Sequence, residues 1–315
     1  PRLTAAAALA AGAGIGRTPA FAQTLQPLRI ALIPTDLAGE VYYAEDLGYF
    51  KKAGYSVTFT PITSGAAISS AVAGGSVDIG FSNVVSLAIA HERGLPFTVV
   101  APATLHIPSQ VTAGILTVLK ASPIRTAKDL DGKTIAINGL NNISDASVRA
   151  WVDKNGGDSK TLKFTEVPFP QMAQAVLAGR VDAASIDAAH EQLLVKPDSD
   201  LRRLANVFDA VSPHFTPSVW FSTTGWIDAH QAAAKAFIAV IEQAAAWGNA
   251  HHAASAEILA KYLKKTPQDI QAVTRAPYAT GKLGPLVQPS IDLAAKYGLI
   301  KTAFPAAEMI SPLAH

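Results

Sequence analysis

Two aspartates in matching surroundings are the first residues to suggest chemistry: Asp78 in AVAGGSVDIGFSN and Asp182 in AVLAGRVDAASID, 182 − 78 = 104 residues apart. Paired carboxylates can serve as general acid and base. Both, however, precede short apolar runs, so each enters a strand at the end away from a strand-end cleft, where capping of nearby amides is the better reading. Other catalytic patterns fail on spacing. His91-Glu92 and His190-Glu191 start like a zinc-protease helix but have Leu95 and Leu194 where the second histidine belongs. His251 and His252 are adjacent and point about 100° apart on a helix, so they cannot chelate together. DGKT at 131–134 has Ala127 in place of the first P-loop glycine, the glycine cluster at 12–16 follows no strand, and no GxSxG elbow occurs. No catalytic residue, metal or cofactor is expected.

Binding chemistry remains. In an open α/β sheet, ligands sit outside the carboxyl ends of the strands. The residues expected there are Thr35, Asp36, Ser64, Gly65, Ser82 and Asn83, then Asn138, Asn141, Asn142, Phe169, Asp187 and His190. Several have a plainer local role open to them: Ser64 and Ser144 as helix caps, Asn138 as a turn residue, Phe169 as core. None is Lys or Arg, so an acidic ligand would depend on amides at helix N-termini, with Arg149 deeper in its helix and Arg275 a remote contributor. Asp36 and Asp187 disfavour a bare dianion and would suit an amine or ring nitrogen. Phe81, Phe169 and Trp220 offer an apolar wall. The set favours a small organic molecule with a ring, an aromatic or heterocyclic carboxylate or sulfonate, over nitrate.

The elements that position these residues follow from periodicity. Strands are predicted at 28–33, 55–61, 77–81, 97–101, 114–120, 134–137, 162–167 and 218–222, and helices at 40–52, 84–91, 144–154, 231–248, 254–263, 267–274 and 286–297. Short helices precede the two GxVD strands. Strands alternating with helices at this spacing argue for parallel sheets. Proline-marked breaks at 102–113 and 209–217 read as two crossings between two similar α/β lobes, hence a two-strand hinge around a cleft. Lobe 1 is assigned to 23–108 and 217–315, lobe 2 to 109–216.

Residues 1–22, a small apolar run ending in Ala20-Phe21-Ala22, read as a cleaved signal peptide, with Sec and Tat routes left open. At 49% hydrophobic and 16% charged the 315-residue chain folds into cores of its own. Removing Arg2 and Arg17 with that segment takes the net charge from +2 to 0, which argues against a nucleic-acid or anionic-membrane partner. No cysteine is present, which excludes disulfides, thiolate metal sites and a lipoprotein anchor. The expected product is a periplasmic monomer.

Four stretches, LGYFKKAGYSV (47–57), SGAAISSAVAGGSVDIGFSN (64–83), SPIRTAKDLDGKTIAI (122–137) and QAVLAGRVDAASID (174–187), together resemble the periplasmic substrate-binding proteins of ABC importers. The group is that of the sulfonate, nitrate, taurine and THI5-like (NMT1) pyrimidine-precursor binders. The resemblance implies an α/β, two-lobed type II periplasmic-binding-protein fold, each lobe a mainly parallel sheet flanked by helices. It also implies a small-molecule ligand and docking of the loaded form on ABC permease subunits at the inner membrane. The family commonly has an acid followed by proline after the second GxVD strand, whereas Asp187 is followed by Ala188. The absence of cysteine argues against the synthase branch. A periplasmic enzyme or a sensor domain on the same bilobal fold is the alternative.

Overall fold

Short apolar runs become strands here, and capping residues or glycines mark the helices between them. The computed structural model describes residues 24–108, 110, 113–188, 190 and 199–314; the expected signal peptide at 1–22 lies outside them. β1 (Gln26–Leu32) runs through a 3-10 turn at Asp36–Ala38 into α1 (Gly39–Asp46) and α2 (Tyr49–Lys52). These two helices were expected as one; Gly48, at φ 70°, breaks them apart. β2 (Tyr55–Pro61), α3 (Gly65–Ala73), β3 (Ile79–Asn83), α4 (Val84–Glu92) and β4 (Phe97–Pro102) follow.

Beyond the first crossing come β5 (Ile115–Leu119), β6 (Thr134–Ile137), α5 (Ile143–Lys154), β7 (Lys163–Glu166), α6 (Phe169–Leu177), β8 (Ala183–Ile186) and β9 (Leu201–Asn206). The chain returns as β10 (Ser218–Thr223) and ends in α7 (Thr224–Ala229), α8 (Gln231–Ala250), α9 (His252–Leu263), α10 (Pro267–Ala272) and α11 (Leu283–Lys296).

Two five-stranded sheets result, ordered β2-β1-β3-β10-β4 and β7-β6-β8-β5-β9. In each, one strand runs against the other four. That strand is β10 or β5, the first after a crossing, and it pairs antiparallel with both neighbours. The sheets are thus mainly parallel in strand direction and mixed in their pairing. The crossings pair with each other, with the His106 amide donating to the Phe215 carbonyl at 2.8 Å. β9 was not foreseen, because LRRLAN carries two arginines and only its two end residues are buried, as an edge strand permits.

The repeated GxVD units do the same work in both sheets. Asp78 Oδ2 accepts the Arg29 amide at 2.7 Å and its carboxylate pairs with the Arg29 guanidinium at 2.6 Å, while Asp182 Oδ2 accepts the Thr134 amide at 2.9 Å. Asp78 thus ties the middle of β1, and Asp182 the start of β6, to the strand that follows that aspartate. The Asp78 amide also bonds Arg29 O, which fixes the entry to β3 and moves that strand to 79–83 from the expected 77–81.

Helices sandwich each sheet. One buried cluster joins Tyr43, Phe50, Trp220 and Phe237 on one side of the first sheet, and another packs Met172, Val176 and Ile186 on the second. The largest cluster runs between the halves, because α11 lays Leu283, Val287 and Ile291 against residues of α4 and α5 together. α11 therefore joins the two halves alongside the crossings, an attachment that the expected two-strand hinge did not include. No helix among the described residues is long and apolar enough to cross a membrane.

Candidate functional site

The carboxyl ends of β1, β3, β6 and β8 and the start of α6 converge on a cavity of about 60 Å³ between the two sheets. Its wall takes Ile33, Leu37, Phe81 and Asn83 from the first half and Asn138, Ser144, Phe169, Ser185, Ile186 and Asp187 from the second. Gly114, Phe208 and Pro217 close it from the crossing side.

The repeat explains how two of these residues face each other. With an offset of 187 − 83 = 104, Asn83 and Asp187 occupy the same place in the two copies. Each accepts the amide three residues on in the manner of a helix N-cap: Asn83 Oδ1 from Ser86 at 2.9 Å, Asp187 Oδ1 from His190 at 2.8 Å. Asn83 Oδ1 also accepts the Ile143 amide at 3.3 Å, so the cap of α4 reaches across to the N-terminus of α5. That helix is capped by Asn142, whose Oδ1 accepts the Ser144 and Asp145 amides at 2.8 and 3.2 Å, and not by Ser144 as expected. The Ser144 hydroxyl instead donates to Asn138 Oδ1 at 3.2 Å.

Asp187 is fully buried, and its Oδ1 lies 2.7 Å from His190 Nδ1. Burial opposes protonation of His190, but the hydrogen bond and charge of Asp187 outweigh it and raise the imidazole pKa. The His190 ring stacks on Phe169, with centroids 6.0 Å apart and planes 22° apart. Asp36 approaches from the other half. Burial, reinforced by the neighbouring Asp187 charge, pushes its pKa up to about 7, against partial opposition from the Ala276 and Asp36 amides and His190. Those amides lie near the carboxylate without reaching hydrogen-bond geometry: neither Asp36 oxygen has a partner among the described residues, and Asp187 Oδ2, Ser185 Oγ and Ser82 Oγ lack one too.

Of the residues expected at the cleft, Asn83, Asn138, Phe169 and Asp187 line the cavity, with Asp36 and His190 grouped around Asp187. Thr35 is buried behind the wall and caps the 3-10 turn, accepting the Leu37 amide at 3.0 Å. Ser64 caps α3, and Gly65 lies so close to Ser82 that a Cβ there would stand 2.5 Å from its hydroxyl oxygen. Asn142 is a buried cap. Asn141, at φ 52°, is exposed and lines a separate groove of about 550 Å³ between α3, α4 and the 139–142 loop.

Trp220 is fully buried, edge-on to Phe81, so it supports the wall from the core and does not form it. Arg275 bonds Ser255 Oγ at 2.7 Å and the His252 carbonyl, facing a different groove with Asn249 and His252. Arg149 is held by Asp145 at 2.6 Å. Ser185 was missed although the offset places it opposite Phe81, because 185 − 81 = 104; a serine inside a strand reads as pleat filler. Among the described residues no Lys or Arg lines the cavity, and no group of three or more His, Asp or Glu is placed to hold a metal ion.

Known proteins share this architecture. The periplasmic aliphatic sulphonate binding protein SsuA of Escherichia coli superposes with a TM-score of 0.70 at 18% identity, over 90% of this chain and 92% of that one. The alkanesulfonate-binding SsuA of Xanthomonas axonopodis pv. citri, solved bound to MOPS, gives 0.73 at 20%, over 90% and 98%. The periplasmic nitrate-binding protein NrtA of Synechocystis PCC 6803 gives 0.70 at 14%, over 89% and 83%. No curated protein matches by sequence. These structures have the two-lobed fold in common with this chain, and the family model described as NMT1/THI5 like matches residues 36–254. The chain belongs to the NMT1/THI5-like family.

Proposed function

We propose that the protein is the solute-binding component of an ABC importer, exported with cleavage of residues 1–22 and working in the periplasm as a monomer. It captures a small ring-bearing organic molecule between lobe 1 (23–108 and 217–315) and lobe 2 (109–216) and hands it to a membrane permease. The observation that carries this reading is the cavity built from strand ends of both sheets, with Asn83 of one half bonded to the Ile143 amide of the other. A ligand touching both walls favours the closed form by the difference in its affinity for the two states, and closure is the signal a permease reads. Phe81, Phe169 and Phe208 suit a ring.

Binding without turnover fits the same walls. The His190 imidazole is engaged by Asp187, and no serine or threonine hydroxyl among the described residues bonds to it. The structural relatives named for sulfonates and nitrate support a carboxylate or sulfonate head group. The buried acids of the cavity support a nitrogen base. Thermal-shift titration with aromatic acids, sulfonates and pyrimidines, alongside mass spectrometry of ligand retained through purification, tests the function. Stabilisation by one class, with that compound recovered unchanged, is expected; no response to any class at millimolar concentration, or its conversion, would overturn it.

A further inference from the structure

We infer that the molecule held in this cleft is a small organic cation with at least two N–H donors, clasped by Asp36 from one lobe and Asp187 from the other. The inference rests on the binding-protein reading above and decides its head group. Asp36 and Asp187 are 1% and 0% exposed. Three of their four carboxylate oxygens have no hydrogen-bond partner among the described residues, and the fourth is used by His190. Ser185, on the cavity wall, adds a buried hydroxyl oxygen with no partner among the described residues. The buried groups left unpartnered at the site are thus acceptors, or a hydroxyl able to accept. Buried acceptors of this kind call for donors.

An anionic head group finds no free counterpart among the described residues. No Lys or Arg of these lines the cavity, and the nearby His190 imidazole is already engaged by Asp187. Several of the N-terminal amides that might have served it are occupied: Asn142 takes those of Ser144 and Asp145, Asn83 those of Ser86 and Ile143, and Ser64 that of Ala67. An inorganic cation is a poor alternative, since no group of three ligating side chains is assembled among the described residues. A planar amidinium or guanidinium-like group meets both demands, offering parallel N–H donors to carboxylates and a flat face to Phe169.

The charged and titratable groups around Asp36 give capture a proton linkage. Asp187 and His190 face it from the second lobe, and Tyr43 and Tyr278 from its own half; Glu40 adjoins Tyr278, Arg275 adjoins Tyr43, and Lys265 stands near His190. With Asp187 and His190 paired, Asp36 is the group left to ionise. Burial and the Asp187 charge hold it protonated up to about pH 7, so a bound cation must displace its proton. Cation affinity therefore rises with pH, by up to about tenfold per unit below pH 7, and levels off above it. An anion would show the opposite slope.

Calorimetric titration of the intact protein with charge-matched probes at pH 6, 7 and 8 tests this: benzamidinium against benzoate, and methylguanidinium against methanesulfonate. The expected result is binding of the cations, with about one proton released at pH 6 and about half of one at pH 7, read in buffers of different ionisation enthalpy. Asp36→Asn and Asp187→Asn should each lose at least about tenfold in cation affinity. Asp36→Asn should also abolish the pH dependence, which a merely structural role would leave unchanged. Binding of benzoate or methanesulfonate in place of the cations overturns the inference and leaves the binding-protein reading standing. No binding of any of the four probes also overturns it; only a negative result across the wider panel as well removes the binding-protein reading.

Discussion

Replacing Asp36 by asparagine should make the protein more stable at alkaline pH and slightly less stable at acid pH. The Asp36 carboxyl is wholly buried, and its pKa rises from 3.8 to about 7, chiefly through burial and then through the charge of Asp187. Because the folded-state pKa is raised, the protonated acid's contribution is complete below about pH 4 and is lost as pH rises through about 7. A rise of about 3 units corresponds to roughly 4 kcal/mol, all of it lost above pH 8. Asparagine has no proton to lose. It sacrifices no acceptor bond either, since both carboxylate oxygens lack partners among the described residues. Imperfect pairing of the buried amide hydrogens returns about 1 to 2 kcal/mol, leaving a net gain of about 2 to 3 kcal/mol at pH 8.

An unfolding entropy of about 2.1 cal/mol/K per residue gives roughly 0.6 kcal/mol/K for a chain of this size, so the gain reads as about 3 to 5 °C in Tm. Differential scanning fluorimetry of both proteins from pH 4.5 to 8.5 measures it. The difference should be zero or slightly negative at the acid end and grow steadily through pH 7. A difference that is flat across this range, or a variant less stable at pH 8, would refute the placement of an uncompensated acid at this position. A residue that weakens the fold where it is ionised and strengthens ligand capture belongs to the site and not to the scaffold.

Three further outcomes follow from the geometry. Asn83→Ala removes the cap of α4 and the bridge to Ile143, so it should lower stability by about 1 to 2 kcal/mol and enlarge the radius of gyration in X-ray scattering; Asn83→Asp, which keeps both acceptor bonds, should restore compactness. Gly114→Ala forces a side chain onto a residue at φ 69° with its Cβ 2.6 Å from the Phe208 ring, and should cost about 2 to 4 kcal/mol in urea denaturation. Asp182→Ala leaves the Thr134 amide without its acceptor and should lower stability by about 1 to 3 kcal/mol, while ligand affinity stays within about twofold.

The elements that periodicity and caps determine were legible in the sequence; those that depend on the far side of the molecule were not. Alternating strands and Ser64 before α3 are local signals, and the structure places each near its expected position, whereas the capping of α4 by Asn83, expected only at the cleft, appears with the structure. The 104-residue offset was equally readable, and with it the scaffold role of Asp78 and Asp182, since an aspartate entering a strand needs only its neighbour's amide. β9 escaped because an edge strand need not be apolar. The bridging role of α11 escaped because an amphipathic stripe tells which face is buried and not that two lobes share it. Trp220 was assigned to the wall for want of knowing that Phe81 stands in front of it.

The same limit explains why the site was found and its charge left open. Strand-end position marks Asp36 and Asp187 as cleft residues one lobe at a time, and each alone could bind water or an amide. Only the facing of the lobes makes them one group, and that depends on the crossings and on α11, which no local pattern encodes. The repeat carries a clue nonetheless. At the same place in the two copies, one lobe has an asparagine and the other an aspartate; both cap the following helix through one oxygen. A neutral amide would have served both caps. The carboxylate at position 187, with its second oxygen buried and unpartnered, exceeds what capping requires, and that surplus charge turned toward the facing lobe is the part of the repeat that a ligand must account for.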